Sequence, residues 1–347
     1  MMNKLFYNLL LLIGAVVSLV SCTHKELSED DLCDLGDFPI KVVVEWDDPA
    51  TQARSMRINL FSQTEGVNDY GRDEVPPPGV KYIYLHSGAS YRPYCYDYNA
   101  SNIYFRNEQD MVAFEAYFAG LSRATYEKYV SVPTKGESTV NAPDGGEFYM
   151  HAWTGNFDVK VNSQEEQILP FQPKNILRQF TYRVNRIGGW ENIKDARGAC
   201  SGMAAIYLFY TNEPTDLRST MLFGNVKVGY DSENEYGYLE GEFYTFGPKE
   251  PYENWFTMEL YSKKNTYYTA SWNVSDQVQE SMDDRPAKLA RDGYDILIDN
   301  NPDDGIPDID PTDPTDPTDP TDPSNPGNGG FIIGVGDWGD EVIIELK

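Results

Sequence analysis

Apolar and polar residues alternate along this chain in short stretches divided by turn residues. Met56, Ile58 and Leu60 alternate with Arg57 and Asn59, and Phe180, Tyr182 and Val184 alternate with Thr181 and Arg183. A period of two puts apolar side chains on one face of an extended chain, so each stretch predicts a half-buried strand. Lys41–Trp46, Tyr82–Leu85, Ile103–Phe105 and Phe148–Trp153 continue the series before Pro170. Met203–Leu208, Val226–Val228, Trp255–Tyr261, Tyr267–Val274 and Ile296–Ile298 continue it after Lys174. Val75-Pro76-Pro77-Pro78-Gly79 is a break that no central strand holds, because proline cannot donate to the ladder. One spacing differs. Met111, Phe114, Phe118 and Leu121 fall three, four and three residues apart, which predicts one short amphipathic helix.

Many short strands without β-α-β alternation predict an all-β chain built from sandwiches, in which two apolar sheet faces meet. Two series of similar length predict two sandwiches in tandem, over 38–170 and 174–300, joined near Pro170–Lys174. Composition agrees: 25 Tyr, 16 Phe and 6 Trp in 347 residues favour pleated surfaces. The net charge of -27 excludes a nucleic-acid partner, since a phosphate backbone is repelled.

The two ends carry different signals. Lys4 precedes the apolar run Leu9–Val20, which closes on Ser21-Cys22. A cationic start, a short apolar core and small residues at the cut predict a secretory signal over 1–21. Leu19-Val20-Ser21-Cys22 resembles a bacterial lipobox, so Cys22 is the expected lipid-attachment residue, carrying acyl chains such as palmitate. Several such chains hold a protein firmly on a bilayer. Residues 22–37 read as an acidic tether, similar to a surface-export signal, which predicts an outer-membrane, surface-facing lipoprotein. From Asp299 the chain turns acidic and proline-rich, and 301–330 is expected to be a stiffened, solvated linker. Its stretch from Pro311 to Pro326 spans roughly 50 Å when extended. Residues 331–347 return to strand character, and a strand on a long tether can add to an open sheet edge. Phe331, Ile333, Val342 and Ile344 are the expected contact residues.

Chemical motifs are sparse. Gly198-Ala199-Cys200-Ser201-Gly202 has the glycine spacing of a nucleophile elbow, but it leads into a strand rather than a helix. Only His24, His86 and His151 are available as bases, so no catalytic residue is assigned and no enzymatic activity is expected. Asn300–Asp308 resembles an acidic calcium-binding repeat, with Pro302 where an acidic ligand is wanted; a solvated segment is the simpler reading. No spacing of Cys and His marks a zinc site, and neither metal nor cofactor is assigned. In an oxidising compartment Cys33, Cys95 and Cys200 permit at most one disulfide. The Tyr and Trp residues keep open a second function, binding of surface glycans.

Several of these segments together carry a resemblance. The lipobox, the opening strand after Cys33, Tyr96-Asp97-Tyr98-Asn99 leading to Ile103-Tyr104-Phe105, and Trp272–Val278 are similar to segments of the fimbrillin-like lipoproteins of Bacteroidetes. The acidic proline linker and the closing Gly330–Ile333, Trp338-Gly339-Asp340 and Val342–Leu346 are similar too. Within that group the chain resembles a branch described only as a domain of unknown function. The resemblance implies two transthyretin-like β-sandwiches and a fimbrial role, in assembly, anchoring or adhesion, with other fimbrial subunits or a host surface as partners. It also implies two modes. Shaft members lose an N-terminal strand by cleavage after a basic residue and polymerise by strand donation, whereas anchor members keep their lipid. Arg54 and Arg57 are the candidate cleavage residues.

Overall fold

The computed structural model describes residues 36–47, 54–68, 70–120, 137–143, 146–161, 165–264 and 266–309. In chain order the first strands are β1 (Asp37–Val44), β2 (Met56–Ser62), β3 (Tyr70–Val75), β4 (Val80–His86), β5 (Ser90–Tyr96), β6 (Ile103–Arg106) and β7 (Glu115–Phe118). Then come β8 (Ser138–Asn141), β9 (Tyr149–Ala152), β10 (Phe157–Asp158), β11 (Gln167–Phe171), β12 (Lys174–Asn175) and β13 (Arg178–Ile187). The remainder are β14 (Ile193–Ala204), β15 (Ile206–Leu208), β16 (Glu213–Pro214), β17 (Arg218–Phe223), β18 (Lys227–Asp231), β19 (Tyr236–Thr245), β20 (Trp255–Ser262), β21 (Tyr267–Asn273) and β22 (Ile296–Asp299). One α-helix, α1 (Ser275–Asp292), lies between β21 and β22 among the described residues.

The strands form five sheets. Sheet I has the order β11-β1-β4, and sheet II the order β12-β9-β5-β2-β3, with β10 added to β5. Sheet III is β16-β15-β7-β6, sheet IV is β21-β20-β14-β17-β8, and sheet V is β18-β19-β13-β22. The all-β expectation is met, and alternation is the cause. In β13, Phe180, Tyr182 and Val184 are fully buried, while Thr181 and Arg183 point outward.

Sheet II is buried on both faces. Met56, Ile58, Leu60 and Cys95 join Ile40, Val42 and Val44 of β1 in a core between sheets I and II. Tyr94 and Tyr96, from the opposite face of β5, pack on Phe105, Phe114 and Phe209 of sheet III and its flanks, with Phe114 and Phe209 stacked at 3.9 Å. The same core runs on between sheets IV and V. Strand pairing does not follow the junction at Pro170–Lys174. β7 pairs with β15, and β8 lies parallel beside β17, so strands from before the junction complete sheets made after it.

The helix expected at Met111–Leu121 is a correction. Met111 lies in a turn, and Phe114, Ala116 and Phe118 are buried at a period of two, entering strand β7. Leu121 lies outside the described residues. Spacings of three and four also fit a turn followed by alternation, and pairing with β15 decides in favour of the strand. The solvated linker also begins later than 301. Ile306 and Ile309 are buried, and the Ile309 amide donates to the Gly188 carbonyl at 3.0 Å.

Candidate functional site

Five of the residues assigned from sequence, Cys22, Phe331, Ile333, Val342 and Ile344, lie outside the described residues, as do the signal segment and Cys33. The motifs within the fold have structural roles. Cys200 is fully buried in the middle of β14, and burial raises its thiol pKa far above the usual range. Gly202, at φ +78, sits in the bulge where β14 shifts register against β17, and Asn254 and the Glu253 carbonyl occupy the space a Cβ would need. Gly202 therefore serves a strand bulge, and Gly198, in regular register, leaves room for the Phe223 ring. Cys95 and Cys200 are both free thiols.

His24 lies outside the described residues, and the other two histidines have different surroundings. His151 Nδ1 accepts a hydrogen bond from the Gln172 amide at 2.8 Å, and its ring stands edge-on to Phe171. Burial, with Lys174 nearby, lowers its pKa, so it is a neutral acceptor that ties β9 to the end of β11. His86 faces Asp37 at 3.8 Å on the surface of sheet I. Asn300 is buried, accepts from the Ile306 amide at 2.7 Å, and donates to the carbonyls of Ile306 and Arg186 at 2.8 and 3.2 Å. Its side chain organises the loop that resembled a calcium site. No cluster of metal-binding side chains occurs among the described residues.

Two places bear on strand addition. The first is the position of β1. It is the middle strand of sheet I, antiparallel to β4 and parallel to β11, and Ile40, Val42 and Val44 plug the core below. Removing it leaves two strands with no ladder between them. The two candidate cleavage arginines are engaged. Arg57 lies within β2, paired with Glu74 and stacked over Tyr98 at 4.1 Å. Arg54 precedes β2 and is paired with the buried Asp97 at 2.7 Å and with Glu147.

The second place is the flank of β19. The chain crosses from sheet IV to sheet V at Gly224–Val226, between β17 and β18, so β18 pairs only with Tyr236–Glu240. Gly241–Thr245 pairs with β13 on one side and, among the described residues, with no strand on the other. A cleft of about 330 Å³ opens there, against Asn141–Pro143 at the end of β8. Its floor is aromatic: Phe223 and Phe243 stack at 4.6 Å and 6°, with Phe180 stacked on Phe243 at 5.4 Å. Gly241 is required. An added Cβ would come 2.5 Å from Tyr182 Oη, which crosses above it, is buried, and has no hydrogen-bond partner. Asn225, Lys227 and Glu242 form a polar rim. No sequence signal separated this stretch from any other alternating strand. The opening comes from where the preceding strand changes sheets.

The other edge of sheet V is closed. Gln277 of α1 donates to the Leu297 carbonyl at 3.1 Å and accepts from the Leu297 amide at 2.7 Å, standing in for a strand beside β22. Closing one edge and leaving the other open is how a sheet directs where a further strand can add.

The fold recurs in a solved structure. A candidate adhesin from Bacteroides ovatus matches at TM-score 0.58 and 16% identity, over 84% of this chain and 97% of that one. A second candidate adhesin from the same species matches at 0.47 and 10%, over 78% and 92%. The fimbrial anchor protein Mfa2 from Porphyromonas gingivalis matches at 0.43 and 10%, over 70% and 85%. No curated protein matches by sequence. A family model described as a domain of unknown function matches residues 21–224, more than half of the sequence, and the chain belongs to that family, DUF5119.

Proposed function

We propose that this chain is a non-enzymatic surface lipoprotein of fimbrial type, held on the outer membrane through Cys22, that acts in assembly, anchoring or adhesion by β-strand addition. The observation that carries the reading is the unpaired flank Gly241–Thr245 above its aromatic floor. Main-chain groups on such a flank bind an extended segment, and alternate side chains of that segment fill the cleft. The acceptor is this flank; the donor is the segment 331–346 of a neighbouring chain, in which Phe331 and Ile333 form one pair at the two-residue spacing of a strand face and Val342 and Ile344 form another. The description of the Bacteroides ovatus structure as a candidate adhesin supports a role at the cell surface.

The engaged Arg54 and Arg57 favour the anchor mode, in which β1 is kept. The test uses a chain lacking 327–347 and a synthetic peptide of residues 330–346. Saturable binding of the peptide, with slowed amide exchange within 241–245, is expected. An absence of binding, or protection confined to other strands, sinks the proposal.

A further inference from the structure

Sheet I turns an exposed apolar face outward, and four of the large exposed hydrophobic residues lie on it. Val80, Tyr82 and Tyr84 of β4 are 45%, 51% and 69% exposed, and Ile168 of β11 is 48% exposed. They share a face because strand side chains alternate. Val80, Tyr82 and Tyr84 stand opposite Val43, Lys41 and Pro39 of β1, and Ile168 stands on the far side of Lys41.

Tyr82 is held in one orientation. Its hydroxyl donates to Glu166, which precedes β11 by one residue, while Lys41 Nζ donates to the other carboxylate oxygen at 3.1 Å. β4 and β11 flank β1, so roughly 10 Å of sheet separates them. The Tyr82 side chain therefore reaches across β1 to Glu166, and about half of it stays open to solvent. Tyr84 is the next residue on the same face, about 7 Å along the strand, and its hydroxyl has no partner among the described residues.

We propose that this face is a binding platform for a neutral polysaccharide. The C–H face of a pyranose ring is apolar and stacks on a flat aromatic ring, and its hydroxyls need donors and acceptors at the rim. Tyr82 supplies a ring already fixed by Glu166, so little side-chain entropy is lost on binding. Glu166, Lys41 and the Tyr84 hydroxyl supply the polar rim. Charge selects the ligand. Lys41 and Glu166 neutralise each other, and the chain's net charge of -27 repels an anionic glycan and opposes a second copy of itself. The site is separate from the β19 flank and does not depend on strand addition there.

Affinity electrophoresis of the full chain in gels holding soluble β-glucan, xylan or α-mannan tests the platform, with polygalacturonate as the anionic control. Retardation by at least one neutral polymer and none by the control is expected. Tyr82→Ala and Tyr84→Ala, with unchanged circular dichroism, should each weaken retardation about tenfold. Tyr82→Phe, which keeps the ring but frees it, should weaken it less. No retardation by the three neutral polymers, or equal retardation of the alanine variants, overturns the proposal. So does concentration-dependent dimerisation that Tyr84→Ala abolishes, because it gives the face to a second copy.

Discussion

Glu259 is a carboxylate buried in sheet IV, hydrogen-bonded by Arg197 and by the Tyr267 hydroxyl at 2.5 Å. Burial outweighs both partners and raises its pKa to about 6. An unfolded glutamate titrates near 4.3, so the folded protein binds the extra proton more tightly. The stabilisation is complete below the unfolded value and is lost as pH rises through about 6; the change is about 2 kcal/mol. Denaturant melts across pH 4 to 7 should show that loss, and Glu259→Gln should flatten it. Asn300 gives a second prediction. Asn300→Asp turns a carboxylate toward the buried carbonyls of Ile306 and Arg186, so it should destabilise by about 2–3 kcal/mol. Calcium should not restore the midpoint, whereas a calcium loop would gain a ligand from that change. Neither role was legible in the sequence. Asn300 read as a weak calcium ligand because a motif records residue types, whereas the fold decides which backbone groups face the side chain.

At the scale of elements, strands were legible and the helix was not. β2 and β13 lie where alternation predicted them, since burial of one face both writes the pattern and holds the strand; β4 and β20 cover stretches read as strands, and β1 starts at Asp37 and ends at Val44, shifted toward the N-terminus from the β-rich run Lys41–Trp46. α1 escaped because polar contacts bind it more than an apolar stripe does; Val278 is its buried aliphatic residue. Asp295, buried before β22, accepts two bonds from Arg285 at 3.0 Å and one from the Thr181 amide at 2.9 Å. It fastens the helix to β13. Asp295→Ala should cost about 3–5 kcal/mol, since it strands Arg285 and the Thr181 amide together. Gln277→Ala removes the cover of the β22 edge with little loss of apolar contact. It should lower the midpoint slightly and raise concentration-dependent association, measured by light scattering, because an uncovered edge templates pairing.

At the scale of the molecule, the tandem reading gave the sandwiches but not their sharing of strands. A sequence shows that a strand has one buried face; it does not show which distant strand will lie beside it. β1 is where this matters for function. It holds sheet I together from both sides, with Ile40, Val42 and Val44 in the core. Burying each of these side chains contributes about 2 kcal/mol, before any contribution from the two ladders. If the chain works in the anchor mode, cutting the backbone between Asp47 and Arg54 should not release β1. A protease site placed there and cleaved in the folded protein tests this by gel filtration with mass analysis of the peak. The fragment ending before the cut should co-elute with the remainder, and a large excess of the 330–346 peptide should leave it in place while still occupying the β19 flank. Release of the fragment, or its exchange for the peptide, would make β1 the strand that is replaced and the chain a shaft subunit. The two outcomes differ because β1 is embedded between two partners, whereas an incoming strand at Gly241–Thr245 finds one partner and an aromatic floor already in place.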